Sequence, residues 1–432
     1  MHIAFLGPER SVHFHRSLAT LVEQGHRVSL LELEPGACPA AGIERIPLVP
    51  VTAPRRAAAA WGAAIRRGWG FGRASRLRRT LRYAKTPLWL VSRALRLRGV
   101  LARLRPDLLH AHYLQRYGWL GWACRFHPLV VTAWGGDLLE EQDGLDAMDG
   151  LLTPRALHAA DAVTCWSQEL AGRVRRYSPP PTPIEIIPFG TDLSCFRPDL
   201  DGEQTRRRLK LEPGARVIFS PRASLPNFNL DVAIRALARL RARGDLGELV
   251  LVLKDASYGE AACHASLCGL ADSFGVAGHL RFDGALGQRE MARLYSLAEV
   301  VISLASSDGM PSTYFEAMAA GCPVVAGDIA SSREAAWNGV LMRRVDPRSV
   351  DQVTAALAEI LGESTLREQA RRSGPAVAAA HGDIRVQMRK QTRLYQRVLD
   401  AAEASPDSPW QKSALWDRPP GLSHSEFSRR DE

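Results

Sequence analysis

A chain of 432 residues, 46% hydrophobic and 24% charged, has the length of two or three domains and can bury a full core without disulfides or structural metals. Its seven cysteines (Cys38, Cys124, Cys165, Cys195, Cys263, Cys268, Cys322) are scattered and odd in number, which excludes a secreted disulfide framework, and no second pair completes a zinc pattern around Cys263 and Cys268. No apolar run reaches the ~20 residues of a membrane span and no basic leader precedes the first apolar run, so a cytoplasmic protein is expected; its net charge of +10 is carried almost wholly by arginine.

His2–Gly7 is a short apolar run closed by glycine, the pattern of a buried parallel strand. His13–Gln24 reads as a helix with Phe14, Leu18, Leu21 and Val22 apolar, Gly25 stops it, and Val28–Leu33 is the next strand. Such a strand–helix–strand unit of ~30 residues opens a doubly wound α/β domain. Its first turn, Gly7-Pro8-Glu9-Arg10-Ser11, lacks G-x-G-x-x-G and gives no support to a nicotinamide dinucleotide.

Between Arg45 and Pro106 the chain carries 16 Arg and Lys residues and no Asp or Glu, interleaved with Trp61, Trp69, Phe71, Tyr83 and Trp89. Arginine with interfacial aromatics suits an anionic membrane surface. A solvated basic face with ordinary core aromatics is the competing reading. Nothing here resembles a recognition helix, a zinc finger or an RNA-binding signature, so nucleic acid is not expected as a partner. Leu90, Ala94, Leu97, Leu101 and Leu104 then form one helical stripe that Pro106-Asp107 ends.

Leu108–His112, Leu129–Ala133, Ala162–Cys165 and Ile184–Pro188 read as further strands alternating with helices. Thr205–Leu209 starts a second cycle: strands at Arg216–Ser220, Leu249–Leu253, His279–Phe282, Val300–Leu304 and Pro323–Ala326, helices at Leu230–Arg243, Ala261–Phe274, Met291–Ala298, Tyr314–Ala320 and Val350–Leu361. The sequence thus predicts an N-terminal Rossmann-like domain over 1–200, a second over 201–384, a helix at about 385–402 that completes the first, and a disordered tail over 403–432. Two doubly wound halves leave a cleft that binds ligands at the strands' carboxyl ends.

The densest chemistry lies between Ser306 and Glu334, where a strand ends, a Gly309-Met310-Pro311 turn follows and a helix begins near Ser312 and Thr313. Backbone N–H groups at such a start suit phosphate. Asp308 and Glu316 flank the turn, and carboxylates accept readily from paired sugar or ribose hydroxyls.

At Glu316-Ala317-Met318-Ala319-Ala320-Gly321-Cys322-Pro323-Val324, preceded by Asp308 where the first Glu of Glu-x7-Glu is usual, the chain closely resembles the retaining glycosyltransferases of family 4, which have the GT-B fold of two facing Rossmann-like domains. Other matches fall in family order: Asp107-Leu108-Leu109-His110-Ala111-His112, Ile187-Pro188-Phe189-Gly190-Thr191-Asp192, and Ser332-Arg333-Glu334 with Asn338-Gly339. The resemblance runs from Met1 to about Leu399.

The resemblance implies that Glu316 holds the ribose hydroxyls of a nucleotide-sugar, Asp308 faces its sugar, and amides from Gly309 through Met310, Pro311, Ser312 and Thr313 surround its diphosphate. Gly284 belongs to the same donor side. Arg222 neutralises the diphosphate, while Asn227 stands where a Lys is usual, so either Lys254 supplies the missing cation or activity is reduced. On the acceptor side His13 and Arg16 replace the usual Gly-Gly loop, and Trp134 stands where many members carry His. Trp134 can only donate from its indole N–H, so His112 and Asp137 become the nearest polar candidates for catalysis beside Asp308 and Arg222.

The expectation is a metal-independent hexosyltransferase without a resident cofactor. It passes sugar from a nucleotide-diphospho-sugar to a saccharide or lipid-linked acceptor in polysaccharide or cell-envelope synthesis, on the inner face of the membrane. The competing readings are a non-catalytic GT-B relative serving as a sugar- or membrane-binding subunit, and a nucleotide-sugar epimerase on the same fold.

Overall fold

The computed structural model describes residues 1–9, 11–33, 41–48, 76–139, 147–177, 182–254, 261–284 and 286–404. The expected membrane contact between Arg55 and Lys85, the side chains of residues 76–85 included, and the tail beyond residue 404 lie outside the described residues.

The inner apolar runs become strands buried on both faces, as in all-parallel sheets, and the strands at the sheet edges are partly exposed. In the first half these are β1 (His2–Leu6), β2 (Arg27–Glu32), β3 (Ile43–Pro47), β4 (Leu108–His112), β5 (Leu129–Thr132), β6 (Ala162–Cys165) and β7 (Ile184–Ile186). They form one parallel sheet in the order β3-β2-β1-β4-β5-β6-β7, with Phe5 beside Leu30 on one side and His110 on the other. In the second half β8 (Arg216–Ser220), β9 (Leu249–Lys254), β10 (Leu280–Asp283), β11 (Val300–Ser303), β12 (Val324–Gly327) and β13 (Met342–Val345) form a second parallel sheet, β10-β9-β8-β11-β12-β13. Both orders reverse beside their first strand, between β1 and β4 and between β8 and β11, and these switch points are where an open α/β sheet forms its crevice. The fold is therefore the doubly wound two-sheet arrangement expected from the sequence.

Helices cover both sheets. The stripe Leu90, Ala94, Leu97 and Leu101 is the buried side of a long helix, Arg76–Leu104, whose far side exposes Leu88, Val91 and Leu95. The last helix, Ile384–Ala404, crosses back onto the first sheet. It packs Ile384, Met388, Leu394, Tyr395 and Val398 against Ile3, Phe5, Phe14 and Leu18.

The two chain crossings between the halves run side by side. The Thr191 N–H donates to the Gly382 carbonyl at 2.6 Å and the Ile384 N–H to the Thr191 carbonyl at 3.1 Å. A Cβ on Gly190 would sit 2.1 Å from the Ile384 Cα, so the glycine of the Ile-Pro-Phe-Gly-Thr-Asp run is required by this close approach.

Among the described residues, two edge strands and two helices of the second half were not read as such from the sequence. β3 and β13 are sheet edges with charged residues (Glu44 and Arg45; Arg343 and Arg344) where an inner strand is apolar. Helix Ser364–His381 contains Gly374 and Pro375, which read as breakers. Helix Ala330–Trp337 is only eight residues long, below the length at which periodicity is legible.

Candidate active site

The carboxyl ends of both sheets face one crevice, and the two switch points supply its walls. From the first domain, helix Val12–Glu23 begins after β1 with Ser11 as its N-cap and carries His13 and Arg16 inward. β4 delivers His112, and the loop after β5 delivers Trp134 and Asp137. From the second domain, the loop after β8 carries Arg222, β9 ends at Lys254, and the loop after β11 carries Asp308 into helix Ser312–Ala319. That helix starts at Pro311 with no side-chain cap, so its first N–H groups lack a capping side chain.

Arg222 and Asp308 form an ion pair, with side chains 11% and 18% exposed, and the guanidinium lies 4.0 Å above the Phe228 ring. Glu316 is held from two directions: the Tyr295 hydroxyl donates to one oxygen at 2.8 Å, and Arg16 reaches the other at 3.3 Å across the crevice. The structure thus sets Arg16, expected on the acceptor side, against the carboxylate expected to hold ribose. Lys254 is half-buried, and burial, partly opposed by Glu316, lowers its pKa. His13 stacks on Phe189 at 5.6 Å, and burial together with Arg16 drives its pKa down to about 4, so its ring is neutral at pH 7.

His112 and Asp137 are placed as supports. Burial takes His112 down to about 3, and its Nδ1 accepts the Trp134 indole N–H at 3.2 Å. Trp134 therefore donates, the only role its indole allows, and fixes His112 as the Nε2–H tautomer. The Asp137 carboxylate accepts backbone N–H groups from Leu114 (3.0 Å), Trp134 (3.0 Å) and Gly135 (2.8 Å). It holds in place a loop in which Tyr113 (φ 80°) and Arg116 (φ 67°) adopt the left-handed region, which costs about 1–3 kcal/mol each. Asp137 is thus employed on main-chain amides and acts as a positioning residue, in place of the catalytic role expected from the sequence.

Asn227 acts through its main chain, its carbonyl accepting the Ser306 N–H at 2.9 Å. Gly284 lies exposed at the end of edge strand β10, and a Cβ there would meet open space. Gly309 is required by packing: a Cβ would stand 2.4 Å from the Trp134 carbonyl oxygen, so this glycine lets the two domains touch backbone to backbone. The domains are tied a third time where Glu334 accepts the Gln168 N–H at 2.9 Å, at the start of helix Gln168–Tyr177.

Sequence reasoning missed Tyr295, Phe228 and Trp166. Tyr295 reads as core beside Met291 and Leu294, and only its hydroxyl reaches Glu316. Trp166 packs 4.3 Å from Phe189 and 5.0 Å from Trp134 beneath the first-domain wall. Among the described residues no group of three or more His, Cys, Asp or Glu is placed to hold a metal ion, and no helix is long and apolar enough to cross a membrane.

Two facing Rossmann-like sheets with a carboxylate–arginine crevice define the GT-B architecture. Residues 11–194 match the family model of Glycosyltransferase Family 4, and residues 201–377 match that of Glycosyl transferases group 1. The chain belongs to this glycosyltransferase family. It is 31% identical over 209 residues to the GDP-mannose-dependent alpha-(1-6)-phosphatidylinositol monomannoside mannosyltransferase of Mycobacterium tuberculosis, covering 46% of this chain and 52% of the relative. The match thus spans about half the length of that curated relative. Sucrose-phosphate synthase from Thermosynechococcus elongatus is similar in structure over 93% of this chain and all of its own, with a TM-score of 0.72 and 18% identity. Anabaena HepE, solved in complex with UDP, is similar over 92% of this chain and 100% of its own, with a TM-score of 0.70 and 16% identity. At these identities the structural likeness speaks for the fold.

Proposed function

We propose that the protein is a retaining glycosyltransferase that moves a sugar from a nucleotide-diphospho-sugar to a saccharide or lipid-linked saccharide acceptor in polysaccharide or cell-envelope synthesis. The observation that carries this reading is the cluster at the facing switch points: Asp308 with Arg222, and Glu316 with Arg16, beside an uncapped helix start. Support also comes from the Mycobacterium tuberculosis relative, whose name makes it dependent on GDP-mannose.

Glu316 accepts from the donor's ribose hydroxyls, and the helix-start amides and Arg222 stabilise the diphosphate. Asp308 orients the sugar. The C1–O bond to the diphosphate breaks, the acceptor oxygen bonds to C1 on the same face, and the acceptor's proton passes to the departing phosphate oxygen. Chemistry of this kind asks the protein to position and to stabilise charge, with no protein nucleophile. Arg222, Lys254 and the helix amides are the groups proposed to carry the diphosphate charge, so turnover is proposed to proceed without a divalent metal. The acid-free basic stretch from Arg45 to Pro106 is proposed to hold the enzyme on the anionic inner face of a membrane.

A thermal-shift screen of nucleotide-sugars identifies the donor, because a ligand of the native state raises its melting temperature. NMR of the glycoside product then reads the anomeric configuration. Retention supports the proposal; an inverted product, or no stabilisation by any nucleotide-sugar, overturns it.

A further inference from the structure

Positive groups converge on the crevice from both domains, and fewer negative ones answer them. Arg16 enters from the first helix, Arg222 from the loop after β8, and Lys254 from the end of β9. Asp308 takes Arg222 and Glu316 takes Arg16. Lys254 is paired with no carboxylate among the described residues, although Glu316, Arg16 and Arg222 all lie within its electrostatic reach. Two further polar atoms beside them, Arg16 Nε and His13 Nδ1, are buried without a hydrogen-bond partner among the described residues. Like charges gathered in a partly desolvated place, with the Arg16 Nε–H donor left over, are unfavourable until an anion arrives. The uncapped start of helix Ser312–Ala319 adds N–H groups of the same sign.

The Arg16–Glu316 contact itself is a poor end state. At 3.3 Å it is one long bond to a side chain with five donors, and it occupies an oxygen that the reading above gives to ribose. A ligand that brings both hydroxyls and phosphates would exchange both partners at once: hydroxyls take Glu316, and the phosphates take the guanidinium.

We propose that Arg16 is a phosphate-binding residue contributed by the N-terminal domain, which Glu316 holds in place until the nucleotide's diphosphate takes it over together with Lys254 from the opposite domain. The proposal rests on the reading of this crevice as a nucleotide-sugar site. It makes the diphosphate a bridge between the two domains, so the anionic part of the donor, and not its base, ties the crevice shut.

Calorimetry on the full chain tests it, titrating UDP, GDP and ADP and, for whichever binds, the matching nucleoside. Wild type, Arg16→Gln, Arg16→Lys and Lys254→Met are compared. Arg16→Gln and Lys254→Met are each expected to weaken the diphosphate by about tenfold or more while the nucleoside binds as well as before, or better in Arg16→Gln, where Glu316 is released. Arg16→Lys keeps the charge and should recover part of the loss. The wild-type affinity for the diphosphate should also fall with added salt more steeply than that for the nucleoside, a readout that needs no variant. Equal losses for diphosphate and nucleoside, or none for either, overturn the assignment of Arg16 while leaving the nucleotide site intact. A wild-type chain that binds none of the three diphosphates overturns the functional reading itself.

Discussion

Replacing Glu316 by Gln tests ribose recognition when the readout is the contrast between two ligands that differ only in their ribose hydroxyls. The side chain is buried, about 6% exposed, with Tyr295 at 2.8 Å on one oxygen and Arg16 at 3.3 Å on the other. Glutamine keeps the shape and an oxygen for the Tyr295 hydroxyl, but loses the charge that makes hydrogen bonds from paired hydroxyls strong. Charge-assisted bonds of this kind contribute about 1.5–3 kcal/mol, a factor of roughly 10–150 in affinity. The assay compares a nucleoside diphosphate with its 2′,3′-dideoxy analogue by calorimetry. The wild type should discriminate between them by that factor, and Glu316→Gln should bind both about equally, which isolates the pairwise term. The variant should also be less stable by about 1–3 kcal/mol, between the values for exposed and buried pairs, because Arg16 is only 14% exposed and loses its counter-ion. A folded Glu316→Gln that still discriminates as the wild type does would refute the assignment of this carboxylate to ribose.

Gly309→Ala should destabilise the ligand-free protein by about 1–3 kcal/mol, since its Cβ would press against the Trp134 carbonyl; faster hydrogen exchange over Trp134–Asp137 and a lower melting temperature report it, and unchanged values would contradict the interdomain packing. His13 titrates near 4 in the fold and near 6.5 unfolded, so its contribution, about 3 kcal/mol, is present above pH 6.5 and lost as pH falls toward 4; His112, near 3, acts in the same direction. Urea unfolding at pH 7.5 and 4.5 should therefore show a steep loss that His13→Asn makes shallower, and a flat profile in the wild type would refute the buried neutral state. Reversing Arg76, Arg78, Arg79 and Arg82 to Glu should release the protein from anionic vesicles at low salt and leave nucleotide binding unchanged. Co-sedimentation that is equal with neutral and anionic vesicles would instead make the basic run a solvated face.

The inner strands were legible in the sequence because a parallel strand buried on both faces is largely apolar: β1, β8 and β11 hold apolar runs with polar residues only at their ends, while β4 also buries His110 and His112 and β6 buries Thr164. The run from Ser306 to Glu334 was legible because its turn, helix start and carboxylates are local, set by residues within a few positions of one another. The edge strands β3 and β13 were not, because one flank of each strand has no partner and tolerates charge. Nor could the sequence determine what the site residues do. Arg16 and Glu316 are 300 residues apart, and only the meeting of two sheets' carboxyl ends makes them a pair. Trp134 meets His112 because β4 and β5 are neighbours in the sheet. His110 is fixed at one end by Thr132 and at the other by Tyr395, which the returning last helix brings from the far end of the chain. Periodicity and motif spacing record which face of an element is buried. Which charge faces which is decided by the packing of one domain on the other, because Coulomb and hydrogen-bond energies depend on distances that no local pattern encodes.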